Sequence, residues 1–102
     1  MEMEHKDNRL YVLVSRHLDP IYGAVQGGHA IAQWLIEHLD NMYWKNNTVV
    51  YLACDIESML MRLEDDDISI FKEPDLDNIV TAIAVVGTPK NERVFKKLKL
   101  LH

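Results

Sequence analysis

Two groups of residues in this 102-residue chain have the types and spacing for chemistry. In the first, Tyr22, Gln26, His29 and Gln33 recur at the three- and four-residue steps that put side chains on one line along a helix, here beside the pair Gly27-Gly28. A helix interior disfavours glycine by about 1 kcal/mol relative to alanine, so two in succession suggest that something must come close to the backbone there. The second group is the stretch FKEPDLDN, which sets Glu73, Asp75 and Asp77 around Pro74, followed by Thr81 in VTAIA. An imidazole can take up and return a proton, and a carboxylate facing it can orient and charge it, as the acid of a hydrolytic triad does. His29 and Glu73 therefore form the candidate catalytic pair. Tyr22 and Gln26 are the candidate positioning residues, and Thr81 could present its hydroxyl to the same crevice. The first amides of the helix, Ile21 to Gly23, could receive a phosphate or an oxyanion. A plainer reading fits the same positions: a hydrogen-bonded histidine at the border of a core, acids shaping a hairpin turn, and a threonine favoured by a strand.

These residues need elements to carry them, and the hydrophobic pattern supplies a series. RLYVLVSR (9–16) reads as a buried strand. Asp19-Pro20 then opens a helix from about Pro20 to Leu39, with aspartate as cap and proline in the first turn. Ala24, Gly28, Ile31, Leu35 and Leu39, flanked by Val25, Ala32 and Ile36, are expected to form its sheet-facing side. DNMYWKNN reads as an irregular or short helical crossing and TVVYLAC (48–54) as a second strand. DIESMLMRLEDDD reads as a second helix with Asp55 as cap and Ile56, Met59, Leu60 and Leu63 inward. ISIF and IVTAIAVVG are a third and fourth strand, and NERVFKKLKLL is a short basic helix with an extended end. Alternating strands and helices followed by two successive strands imply one α/β domain over residues 1–102, with a mixed sheet and an antiparallel last pair. Its ligand site is expected beside the carboxyl end of the first strand, where the first helix begins.

Composition narrows the partners. A formal net charge of −5 argues against a protein that coats nucleic acid through many phosphate contacts. The charge is uneven, however. Lys90, Arg93, Lys96, Lys97 and Lys99 face the single acid Glu92 in the last segment, whereas Glu64 to Asp67 and Glu73 to Asp77 are acidic. Glu73, Asp75 and Asp77 would draw a cationic group. Cys54 is alone, which excludes an internal disulfide and a cysteine-based metal cluster, and its setting reads as a buried strand thiol. His5, His17, His38 and His102 lie at a terminus, in a loop or on an apparently exposed helix face, without metal-ligand spacing, so no metal is expected. QGGHA lacks the spacing and the lysine of a phosphate-binding loop. No apolar run is long enough to span a bilayer and no signal-peptide pattern stands at the start, so the expectation is a cytoplasmic protein without a membrane partner.

YVLVSRHLD…GAVQGGHA, FKEPDLDNIVTAIAV and the closing LKLL together resemble the type II peptidyl-tRNA hydrolases of archaea and eukaryotes, in a shortened form. Gln26, His29 and Ala30 match the family's Q-x-x-H-A motif, and Arg16 matches the arginine that ends its first strand. The resemblance implies a mixed four-stranded sheet with helices on its faces, commonly as a homodimer. It implies hydrolysis of the ester between a peptide and the terminal ribose of tRNA, without metal or organic cofactor. On this likeness His29 activates water or polarises the ester, Glu73 stands where the family has a catalytic aspartate, and Thr81 aligns with a threonine on the next strand. Two positions depart from the pattern. Tyr22 replaces a lysine, and EPDLD replaces a D-A-G-R-T segment, losing an arginine and adding Asp75 and Asp77. The departures keep two other readings open: a non-catalytic binding module of the same fold, or a small-molecule hydrolase or transferase acting on a cationic substrate.

Overall fold

The computed structural model describes residues 8–40 and 44–101. Its elements run β1 (Arg9–Ser15), α1 (Pro20–Glu37), β2 (Thr48–Cys54), α2 (Ile56–Arg62), β3 (Ile68–Glu73), a single 3-10 turn (Pro74–Leu76), β4 (Ile79–Val86), α3 (Pro89–Phe95) and β5 (Lys99–Leu100). The strands form one mixed sheet in the order β3-β4-β1-β2-β5. β1 and β2 are parallel, and the other three pairings are antiparallel. The expectation of four strands is corrected to five. The basic tail turns back after α3 and pairs Leu100 with Leu52 and Lys99 with Ala53, because an open edge of β2 leaves backbone groups to satisfy. No helix of the described residues is long and apolar enough to cross a membrane. His5 and His102 lie outside the described residues, as does part of the crossing expected at DNMYWKNN.

β1 is central and covered on both faces, which is why RLYVLVS is a continuous apolar run and not an alternating one. Leu10, Val12 and Val14 pack with Ala30 and Trp34 of α1, while Tyr11 and Leu13 pack with Ile56 and Met59 of α2 and Phe95 of α3. Asp19 caps α1 as expected, accepting from the amides of Ile21 at 3.2 Å and Tyr22 at 3.3 Å. Those two amides are therefore satisfied by the cap, and the anion site expected there is not formed. Asp55 is the N-cap residue of α2, but its side chain makes no cap bond and accepts instead from the Ser58 hydroxyl at 2.8 Å.

The buried side of α1 is not the predicted one. Gly23, Gln26, Gly27, Ala30 and Trp34 face the sheet, whereas Ala24, Val25, Gly28, Ala32, Ile36 and Leu39 are exposed and Ile31 and Leu35 half-buried. The reason is closeness. A Cβ on Gly23 would stand 2.8 Å from Val14 Cγ1, and one on Gly27 would stand 2.8 Å from Val12 Cγ1 and closer still to the Tyr51 ring. The helix lies nearly in contact with β1 through its backbone, so its smallest residues, and not its most apolar ones, occupy the interface. Gly28 faces open space.

His38, expected on an exposed helix face, is instead buried, 8% exposed. Its ring stacks on Trp34 with centroids 4.3 Å apart, and its nitrogens meet the Trp34 carbonyl and an Asp67 carboxylate oxygen, both at 2.8 Å. It ties the end of α1 to the turn before β3.

Candidate active site

The site is assembled where α1 crosses β3 and β4. β3 alternates regularly, and Ser69, Phe71 and Glu73 all meet α1 residues: Ser69 donates to Glu37 at 2.6 Å, Phe71 stacks on His29, and Glu73 accepts from Gln26. β4 does not alternate regularly. Phe71 pairs with Ala82 and Lys72 with Val80, so Thr81 is an extra residue with no partner across the ladder. This is a β-bulge, and it re-aims a side chain. Without it, Thr81 would share the α2 and α3 face with Ile83 and Val85. Val80 packs there instead, and Thr81 turns under α1.

Three side chains consequently form a hydrogen-bonded series. The Thr81 hydroxyl donates to Gln26 Oε1 at 2.5 Å, and Gln26 Nε2 donates to Glu73 Oε1 at 2.8 Å. The second carboxylate oxygen of Glu73 accepts the Asp75 amide at 3.0 Å. Gln26 is 1% exposed, Thr81 0% and Glu73 9%. The direction of the series follows from charge. A reversed Gln26 amide would set its oxygen against a carboxylate, whereas the Thr81 hydroxyl can turn to suit either end.

Glu73 remains ionised more readily than an ordinary glutamate. The Asp75 amide contributes most to this, followed by Gln26; burial opposes them, and His29 and the Tyr22 hydroxyl add to the stabilisation. Tyr22 shows the reverse effect. Burial and the negative charges of Glu73 and Asp75 raise its phenol above the ordinary value, and the nearness of its hydroxyl to the Glu73 carboxylate adds to the effect. The phenol is thereby kept as a donor.

The exposed His29 ring lies flat on Phe71, with centroids 4.5 Å apart and 12° between the planes. The structure thus gathers Tyr22, Gln26, His29, Glu73 and Thr81 about one carboxylate. Gln26 and Thr81 sit behind it, buried, and hold it; Tyr22 and His29 stand toward solvent. Glu73 accepts hydrogen bonds from Gln26 and the Asp75 amide, while the His29 ring and the Tyr22 hydroxyl favour its ionised form from the solvent side. Asp75 contributes its amide, and its carboxylate is felt by Tyr22. Asp77 goes to the turn. With Asn78 it adopts a left-handed backbone, φ 56° and 62°, that reverses the chain into β4.

Sequence reasoning missed Phe71 as the platform for His29 and Gln26 as a buried hub. Both had a signal. Phe71 lies two residues before Glu73, on the same strand face, and Gln26 shares the small-residue line of Gly23, Gly27 and Ala30. No group of three or more His, Cys, Asp or Glu side chains among the described residues is arranged to hold a metal ion. No family model matches the chain, and no curated protein matches it.

Proposed function

We propose that the protein hydrolyses the ester joining a peptide to the 3′ ribose of tRNA, with Glu73 and His29 at the reacting centre. The observation that carries this reading is the Thr81–Gln26–Glu73 series, in which a backbone bulge and a buried amide hold one carboxylate ionised at the edge of solvent, beside an exposed imidazole. Such an arrangement suits a water attack. Water adds to the ester carbonyl carbon as its proton passes to the His29 imidazole, and the proton returns to the ribose oxygen as the ester bond breaks. Glu73 orients the water and balances the charge that the imidazole gains. The Tyr22 phenol, kept protonated by its acidic surroundings, donates to the oxygen that becomes negative. It takes that role where the similar family has a lysine. No metal is called on in this scheme.

A homodimer belongs to the same reading. What supports it is the outer side of α1 and the turn that follows it, where Ile21, Val25, Ile36 and Leu39 are exposed along one line. A second reading, an enzyme or binding module for a cationic small molecule, is favoured by the two carboxylates of Glu73 and Asp75 acting on Tyr22, where the family has a positive charge.

The test is release of peptide from an N-blocked aminoacyl-tRNA by the wild type, His29→Ala and Glu73→Gln, with circular dichroism to show that each is folded. Hydrolysis by the wild type and its loss, by about a hundredfold or more, in both variants is the expected result. A folded wild type that releases no peptide overturns the reading and turns the search to cationic ligands.

A further inference from the structure

A second feature lies on the opposite face of the sheet. Between α2, α3 and the carboxyl end of β2 runs a cleft of about 630 Å³, within the range that holds a nucleotide-sized ligand. Arg16, Arg62, Lys97 and Lys99 line it, and Asp55 is its one carboxylate. Asp55 is already engaged by the Ser58 hydroxyl, and none of the four cations has an acidic partner among the described residues. All four are exposed. In a chain of net charge −5, a cleft with four cations to one acid is a local reversal of sign. The residues come from four separate places in the chain: the end of β1, α2, the turn after α3, and β5. The tertiary fold concentrates them.

The lining tells which part of a polyanion fits. No tyrosine, tryptophan, phenylalanine or histidine borders the cleft, so it has no aromatic platform for a base. Arginine and lysine without such a platform suit phosphate oxygens. Position tells which polyanion. β1, β2 and β3 all run in one direction, because β3 and β1 are each antiparallel to β4. The cleft at the end of β2 and Glu73 at the end of β3 therefore open on the same edge of the sheet. Three strand spacings, about 14 Å, separate β2 from β3 along that edge, with the cleft on one face of the sheet and Glu73 on the other. One strand of RNA can pass from the cleft round that edge to the carboxylate.

We propose that this cleft grips the phosphodiester backbone of the RNA whose 3′ ester enters the Glu73 site. The proposal rests on the ester-hydrolase reading for its choice of polyanion, but its test does not depend on turnover. Four backbone phosphates neutralised on a single strand give a slope of about −2.8 in log affinity against log salt concentration. Binding of fluorescently labelled tRNA is measured by anisotropy across a salt titration for the wild type, for Arg62→Gln/Lys97→Gln, and for Lys45→Gln/Lys90→Gln, which removes the same charge from exposed positions outside the cleft.

The expected result is a tenfold or greater loss of affinity for the cleft pair, with the slope reduced by about 1.4, and little change for the control pair. Equal losses in both pairs, or no loss in the cleft pair, overturn the proposal. So does polyglutamate displacing the RNA as well as unlabelled RNA does, since the cleft would then be a general acceptor of acidic chains. If no peptide is released yet the cleft pair alone loses affinity and slope, the cleft assignment stands and the ester-hydrolase reading falls. Circular dichroism of both pairs confirms that exposed substitutions have left the fold intact.

Discussion

Replacing Gly27 by alanine should destabilise the protein, and the same change at Gly28 should stabilise it. The two residues are neighbours in one helix, so intrinsic helix preference favours alanine at both by about 1 kcal/mol. At Gly28 a new Cβ meets nothing within 4 Å, and the backbone has negative φ, so that preference is the whole effect. At Gly27 the Cβ stands 2.8 Å from Val12 Cγ1 and nearer to the Tyr51 ring, whereas carbon atoms in contact sit at about 3.5–4.0 Å. Val12 is fully buried and cannot withdraw. Tyr51 can swing only by giving up the bond from its hydroxyl to the Ala24 carbonyl. Over-packing of this kind costs about 2–3 kcal/mol, which leaves a net loss of about 1–2 kcal/mol for Gly27→Ala.

In a domain of this length each kcal/mol moves the melting temperature by about 4–8 °C. Gly27→Ala should therefore melt about 4–16 °C below the wild type, and Gly28→Ala about 4–8 °C above it. Denaturant unfolding followed by circular dichroism gives both free energies, and unchanged m-values guard against an altered unfolded state. The first change has a further effect. Lifting α1 carries Gln26 away from Glu73, and a 2.8 Å hydrogen bond does not survive a shift near 1 Å, so under the proposed function peptide release should fall with stability. A Gly27→Ala variant as stable as the wild type would refute the close backbone contact between α1 and β1.

Two other expectations follow from buried polar groups. Thr81→Val keeps shape and removes the donor to Gln26 Oε1, leaving a buried acceptor unpaired, so it should cost about 1–3 kcal/mol in the same unfolding assay; Thr81→Ser should recover most of it, and a cost near zero for the valine variant would remove the series from the stability of the site. Both nitrogens of His38 face acceptors, a pattern that only the doubly protonated ring satisfies. Burial lowers its pKa, but the bonds to Asp67 and the Trp34 carbonyl, with the charges of Asp67 and Glu37, raise it above the ordinary 6.5 overall. A raised folded-state value contributes stability that is fully present below pH 6.5 and is lost as pH climbs through the folded-state value. The unfolding free energy of the wild type should therefore lose ground to His38→Gln as pH rises above that point, and a difference that stays flat with pH would show the ring to be neutral.

Local chemistry in the sequence was sufficient for the first four strands and the helices between them. Asp19-Pro20 marks the start of α1, TVVYLAC coincides with β2, and the alternation of strand and helix patterns implies a mixed sheet with an antiparallel last pair. These features depend on neighbours within a few residues, through caps, proline geometry and periodic burial. Q-x-x-H-A and EPDLD likewise mark where polar chemistry gathers, since Gln26, His29 and Glu73 stand out against apolar surroundings.

The tertiary structure decided what periodicity could not. An apolar stripe on α1 was legible, but which side meets the sheet depends on how closely helix and strand approach, and at backbone contact Gly23 and Gly27 outweigh Ile36 and Leu39. Strand alternation sends Thr81 to the wrong face, because the bulge opposite Phe71 and Lys72 is a matter of pairing between strands. β5 and the basic cleft have the same origin. They join residues from distant parts of the chain, and such contacts are selected by packing and by the need to satisfy backbone groups across space, a constraint that no local window of sequence contains.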